Sequence, residues 1–138
     1  MLLLSELEYV FGKDNVIHQY PCLKYKIDIK LKNHPIAIEF DGHYHIGKDE
    51  NDKKRRERIQ KENLILYVIR DNYLNLLSEK DIKSINKERI VKEDIDNLLK
   101  LILTTYNGFN INELKNLNDY FNNKSFNNLD QYYKYVFR

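Results

Sequence analysis

The strongest constraint on how this chain folds is a pair of short alternating stretches, residues 25–31 (YKIDIKL) and 36–42 (IAIEFDG). Apolar and polar residues take turns with period two in both, the pattern of strands with one covered face. A polar turn joins them, and a two-residue loop at Asn33-His34 closes them as an antiparallel hairpin. That loop sets Leu31 opposite Ile36, Ile29 opposite Ile38 and Ile27 opposite Phe40 on one face. The other face then pairs Lys30 with Ala37, Asp28 with Glu39 and Lys26 with Asp41. A slip of one residue would set apolar side chains against charged ones, so the parity is fixed. A slip of two keeps the faces and moves Asp28 towards Ala37 or Asp41.

In the first register the Asp28 and Glu39 Cβ atoms lie about 5 Å apart. Facing carboxylates repel unless a cation or a proton sits between them, so the pair reads as a divalent-metal site of hard oxygen ligands. Acids on the wet face of a hairpin are the plain alternative. The next residues, Asp41-Gly42-His43-Tyr44-His45, weigh against it by adding a third carboxylate and two histidines.

A chain of 138 residues accommodates one core and one small addition. The formal net charge is only +2, so any nucleic-acid affinity must come from local patches. Met1-Leu2-Leu3-Leu4 runs directly into Ser5-Glu6-Leu7-Glu8, unlike a signal peptide, and no apolar run reaches membrane-spanning length. The single cysteine, Cys22, excludes an internal disulfide framework and suits a reducing, cytoplasmic compartment.

Ser5 and Glu8 are spaced as a capping box for a first helix that stops near Gly12, unless the leading leucines extend it backwards. Glu8 lies between Leu4 and Phe11 at the edge of the apolar face, where it can reach the sheet; Glu6 is the substitute. Residues 48–62 are helical in composition but carry one apolar residue, Ile59, and crowd Lys53, Lys54, Arg55, Arg56 and Arg58 beside the acids. Most charge runs are solvated helix faces; here phosphate contact is the sharper reading. Residues 64–69 form a continuous apolar run, a strand covered on both sides. Residues 71–92 read as a polar connection, and Ile95, Leu98, Leu99, Ile102 and Leu103 as one helical stripe. Beyond it, Ile111, Leu114, Leu117, Tyr120 and Phe121 suit one amphipathic helix, and Leu129, Tyr132, Tyr133 and Val136 another. These pack on the core or a partner subunit, or form a DNA-contacting arm with Lys115, Lys124, Tyr132 and Lys134. The expected fold is α/β: a mixed sheet flanked by helices over residues 1–104, with a small helical extension over 105–138.

Asp28 followed by Glu39-Phe40-Asp41-Gly42-His43-Tyr44-His45 resembles the D…E-x-D-G-x-x-H pattern of small restriction-endonuclease-like domains. These are the relatives of very-short-patch-repair endonucleases and of EDxHD homing nucleases in the PD-(D/E)xK superfamily. The chain departs from the family pattern in several places. Asp41 replaces the usual lysine, Asn63 stands where glycine is common, Val68 where arginine is common, and one cysteine cannot build the repair enzymes' zinc site.

The resemblance implies a Mg²⁺-dependent DNA endonuclease, with Mn²⁺ as a substitute, of homing or restriction type. Asp28, Glu39, Asp41 and the Phe40 carbonyl would hold the ion, which polarises a phosphate oxygen and acidifies water. His45 is the candidate general acid or water-steering group, and Glu8 a supporting carboxylate. Lys26, His43, Lys53, Lys54, Arg55, Arg56 and Arg58 are the candidate contacts to double-stranded DNA; His18 and His34 stay outside the site. A homodimer through the extension would supply a second site for double-strand cutting. The alternatives are an inactive nucleic-acid-binding module, a mismatch-directed nicking enzyme, an RNA-directed nuclease, and a transition-metal site of Asp41, His43 and His45.

Overall fold

A computed structural model of the chain describes residues 2–85 and 89–122. Among the described residues, five strands make one sheet in sequence order: β1 (Val16–Cys22), β2 (Tyr25–Leu31), β3 (Ile36–Asp41), β4 (Ile65–Arg70) and β5 (Asp81–Lys83). β1–β2 and β2–β3 run antiparallel, β3–β4 and β4–β5 parallel. The described helices are α1 (Leu2–Phe11), α2 (Asp49–Gln60), α3 (Lys92–Thr105) and α4 (Ile111–Asn122). The fold is therefore α/β with a mixed sheet between helices and a C-terminal helix, the restriction-endonuclease-like arrangement expected. None of the described helices is long and apolar enough to cross a membrane.

Both sheet faces are covered. Ile29, Leu31, Ile36, Ile38, Tyr67 and Ile69 pack against Leu3 and Leu7 of α1, Ile95, Leu98 and Ile102 of α3, and Leu117 and Tyr120 of α4. Ile27, Ala37, Leu66 and Val68 pack on the other side against Ile59 of α2. Each such large side chain contributes about 1.5–3 kcal/mol through burial. Double coverage explains why β4 is almost wholly apolar.

The hairpin forms in the expected register, with Ile29 opposite Ile38 and Lys30 opposite Ala37. The ladder holds only these two pairs, so the expected pairs Leu31–Ile36, Asp28–Glu39, Ile27–Phe40 and Lys26–Asp41 are not made. Phe40 packs with the α1/α3 core and Ile27 with the α2 side, so the strand changes face at Asp28. The cause is local. Across from Asp28, Gln19 takes the left-handed conformation (φ 56°) and interrupts the β1–β2 ladder between His18–Ile29 and Tyr20–Ile27. The Asp28 carboxylate then accepts the Phe40 N–H at 2.9 Å, filling the gap where the strands part.

α1 starts at Leu2, so Ser5 lies inside it and the capping box with Glu8 is not used. Leu3, Leu7 and Val10 bury one continuous stripe, which outweighs the cap. Gly12, at φ 90°, ends the helix in a conformation that glycine adopts freely. α2 turns Asp52, Arg56 and Ile59 inward at i, i+4 and i+7. Its inner stripe is ionic because the sheet edge beneath it is ionic. Part of the expected polar connection forms β5, whose three residues are too few to show periodicity.

The expected boundary at residue 104 falls in the last turn of α3, and Phe109, Leu117 and Tyr120 belong to the main core. His34 ties the hairpin turn to this region, its Nδ1 2.7 Å from the Tyr106 hydroxyl and its Nε2 2.8 Å from Glu113. The expected second C-terminal helix, with Lys124, Tyr132 and Lys134, lies outside the described residues.

Candidate metal centre

In the parallel part of the sheet Asp41 and Arg70 are register partners at the carboxyl ends of β3 and β4. Loops open outward at such strand ends, and ligand sites of α/β sheets gather there. After β3 the chain makes a short 3₁₀ turn, His43–His45, and enters α2 at Asp49. The turn returns His45 over Asp41, and the first turns of α2 bring Asp49 and Asp52 to the same spot.

Donor atoms of Asp41, His45 and Asp52 lie within 4.8 Å of one another. His45 Nδ1 is 3.0 Å from both Asp52 oxygens, so this nitrogen carries the hydrogen and Asp52 accepts it. That bond leaves Nε2 of a neutral imidazole with its lone pair, 3.9 Å from Asp41 Oδ1. The separation is too long for a hydrogen bond. It suits two donors on one cation, each about 2.1 Å from the ion. A carboxylate fixing the far nitrogen of a ligating histidine is the usual orienting device.

Three arginines balance the acids. Arg70, with 0% exposure, donates to Asp41 at 2.8 Å, to Asp49 at 3.1 Å and to Asp52 at 3.4 Å. Arg56 bridges Asp81 at 2.7 Å and Asp41 at 3.2 Å. Arg55 grips Glu39 with two 2.6 Å bonds. Among the described residues, six carboxylates (Asp28, Glu39, Asp41, Asp49, Asp52, Asp81) thus face three guanidiniums and one imidazole, so acids are in excess. Burial raises the Glu39 proton affinity; Arg55 opposes this, while the Asp28 and Asp41 charges add to it. Burial likewise raises Asp41, against the pull that a protonated His45, Arg56 and Arg70 exert. Crowded, desolvated carboxylates with leftover charge are what a bound divalent cation stabilises.

The structure thus gathers Asp41 and His45 with Asp52, while Glu39 and Asp28 sit alongside under Arg55 and the Phe40 amide. Phe40 enters through its N–H. Glu8 is half-buried on α1, and among the described residues no hydrogen bond or ion pair joins it to these acids. The buried acid of α1 is Glu6, which faces Lys92, Asp96 and Tyr120 of α3 and α4. Lys26, His43, Lys53, Lys54 and Arg58 are exposed, and Lys54 and Arg58 line a cleft with Asp52 and Arg55. Arg56 is buried in ion pairs, which removes it from the phosphate contacts expected, and Arg55 is committed to Glu39.

Asp49, Asp52, Arg70 and Asp81 were not expected in the site. Asp52 and Arg56 share a helical stripe with Ile59, the only apolar residue of α2, and that spacing marks them as inward-facing. Arg70 closes an otherwise apolar strand, a position that calls for a buried acidic partner. Nothing in the sequence marks Asp81. Comparison with protein-family models, curated proteins and solved structures finds no match to this chain.

Proposed function

We propose that the chain is a divalent-metal-dependent endonuclease that hydrolyses phosphodiester bonds in DNA. The observation that carries the reading is the convergence of Asp41, His45 and Asp52 at the carboxyl ends of the parallel strands, with Glu39 and Asp28 adjoining. The residues fit Mg²⁺ or Mn²⁺: carboxylate oxygens dominate, and the single imidazole makes Mn²⁺ the better probe. Such an ion supplies Lewis acidity to a phosphate oxygen and lowers the pKa of water.

The chain's own groups would do the rest. Asp41 and His45 Nε2 would hold the ion, and Asp52 keeps the imidazole in the required tautomer. Arg70 and Arg56 fix the Asp41 carboxylate in place. Lys53, Lys54 and Arg58, exposed on α2, would meet the nucleic-acid backbone. A non-catalytic nucleic-acid-binding module is the second reading, favoured by the internal ion pairing of Glu39 and Asp41.

Incubation of plasmid and linear duplex DNA with the protein, in Mg²⁺, in Mn²⁺ and in EDTA, separates the two. Metal-dependent cleavage abolished by Asp41→Asn and reduced by Asp28→Asn and Glu39→Gln supports the nuclease. Binding without cleavage in either metal supports the module. Cleavage unaffected by Asp41→Asn would discard the site.

A further inference from the structure

The Arg55–Glu39 pair differs from the other ion pairs of the site. Arg56 and Arg70 are buried and each holds more than one carboxylate. Arg55 holds one, and 26% of its side-chain surface remains open. It lines a cleft of about 330 Å³ with Tyr25, Asn51, Asp52, Lys54 and Arg58. The Tyr25 ring presents its face 5.0 Å from the Arg55 guanidinium carbon, and its hydroxyl accepts a hydrogen bond from Arg58 at 3.1 Å. Three cations and an aromatic platform therefore surround the opening, with Asp52 the acid among the described lining residues.

Glu39 is only 4% exposed, and both its oxygens are engaged by Arg55. Arg55 occupies one lone pair on each Glu39 oxygen and sets a positive charge where an ion would approach, so a metal at Glu39 is opposed while that grip lasts. A guanidinium leaving Glu39 keeps the Tyr25 ring beside it, and next to Lys54 and Arg58 it forms a cationic cluster that a phosphate anion would neutralise.

We infer that Arg55 is an exchangeable internal counter-ion: a divalent cation at Glu39 displaces it into the Tyr25–Lys54–Arg58 cleft, where it completes a binding site for a backbone phosphate. The inference rests on the metal site proposed above and extends it to Glu39, two residues before Asp41 on β3. Its consequence is thermodynamic coupling. Metal strengthens nucleic-acid binding and nucleic acid strengthens metal binding by the same factor.

The test uses calorimetric titration of Mn²⁺ into the full chain and its Arg55→Gln variant. Fluorescence anisotropy of a cleavage-resistant phosphorothioate duplex, with and without Mn²⁺, supplies the second readout. Arg55→Gln is expected to bind Mn²⁺ about tenfold more tightly than wild type without DNA. Mn²⁺ should tighten duplex binding about fivefold or more in wild type, the lower range of ordinary coupling, and leave the variant nearly unchanged. Should the glutamine variant fail to fold, Arg55→Lys carries the same test, because lysine keeps the charge but loses the two-pronged grip. Equal or weaker Mn²⁺ binding in the variant, with wild type binding the ion, overturns the exchange and leaves the nuclease reading standing. Absence of Mn²⁺ binding in both overturns the metal site itself, and the exchange with it.

Discussion

Arg70→Met isolates the electrostatic core of the site. The substitution removes a fully buried cation and keeps an apolar side chain of similar length, so little packing is lost. Asp41 and Asp52, both buried, lose a donor, and half-buried Asp49 loses another. Removing one partner from a buried ion pair costs about 3–5 kcal/mol, because the remaining charge stays desolvated. Arg56 still holds Asp41 and His45 still holds Asp52, which places the expected loss near the lower end, about 3 kcal/mol. For a domain of this size that is a fall in Tm of about 10 °C. A divalent cation offers the same carboxylates the charge that arginine supplied, and an ion at a hundred times its Kd stabilises by about 2.7 kcal/mol. Thermal unfolding followed by circular dichroism, in EDTA and in Mn²⁺, should show the ion raising the variant's Tm by more than the wild type's. A variant within about 2 °C of wild type, or a deficit that Mn²⁺ leaves untouched, would refute the reasoning.

Two further outcomes follow from other parts of the fold. Burial under α3 and α4 pushes the Glu6 carboxyl from 4.5 up to about 7, with Lys92 opposing and Asp96 reinforcing the shift. A carboxyl raised in the folded state costs nothing while protonated in both states, so stability falls as pH climbs from about 4.5 to 7 and then levels off. Glu6→Gln removes this loss: urea denaturation should find its advantage over wild type growing from nearly nothing at pH 4.5 to about 3 kcal/mol at pH 8. An advantage that does not change with pH would contradict it. The double variant Lys54→Ala/Arg58→Ala should flatten the salt dependence of duplex binding, lowering the log–log slope by about 1.8 for two lost phosphate contacts; an unchanged slope would remove the cleft from the interface.

The parts of the fold legible in the sequence have local patterns. Period-two alternation located β2 and β3, a continuous apolar run located β4, and a 3.6-period stripe located α3. Asp41 and His45 were legible because they adjoin the hairpin. Their partners were not: Asp52, Arg70 and Asp81 come from a helix and two other strands, and only tertiary packing joins them. The change of face at Asp28 depends on Gln19 in the neighbouring strand, which the pattern of β2 alone cannot record. The burial of Arg56 is hidden in the sequence because the inner stripe of α2 is charged, where a helix covering a sheet usually turns apolar residues inward. The capping box at Ser5 lost to the burial of Leu3, since a cap contributes about 1 kcal/mol and a buried leucine more.

Electron paramagnetic resonance of Mn²⁺ added to the protein tests the central claim most directly, because it reads occupancy and nitrogen coordination together. The account predicts about one tightly held ion per chain with coupling to an imidazole nitrogen, that coupling lost in His45→Ala and the ion lost in Asp41→Ala. Mn²⁺ that stays free in solution, or binds equally well after both substitutions, would contradict it.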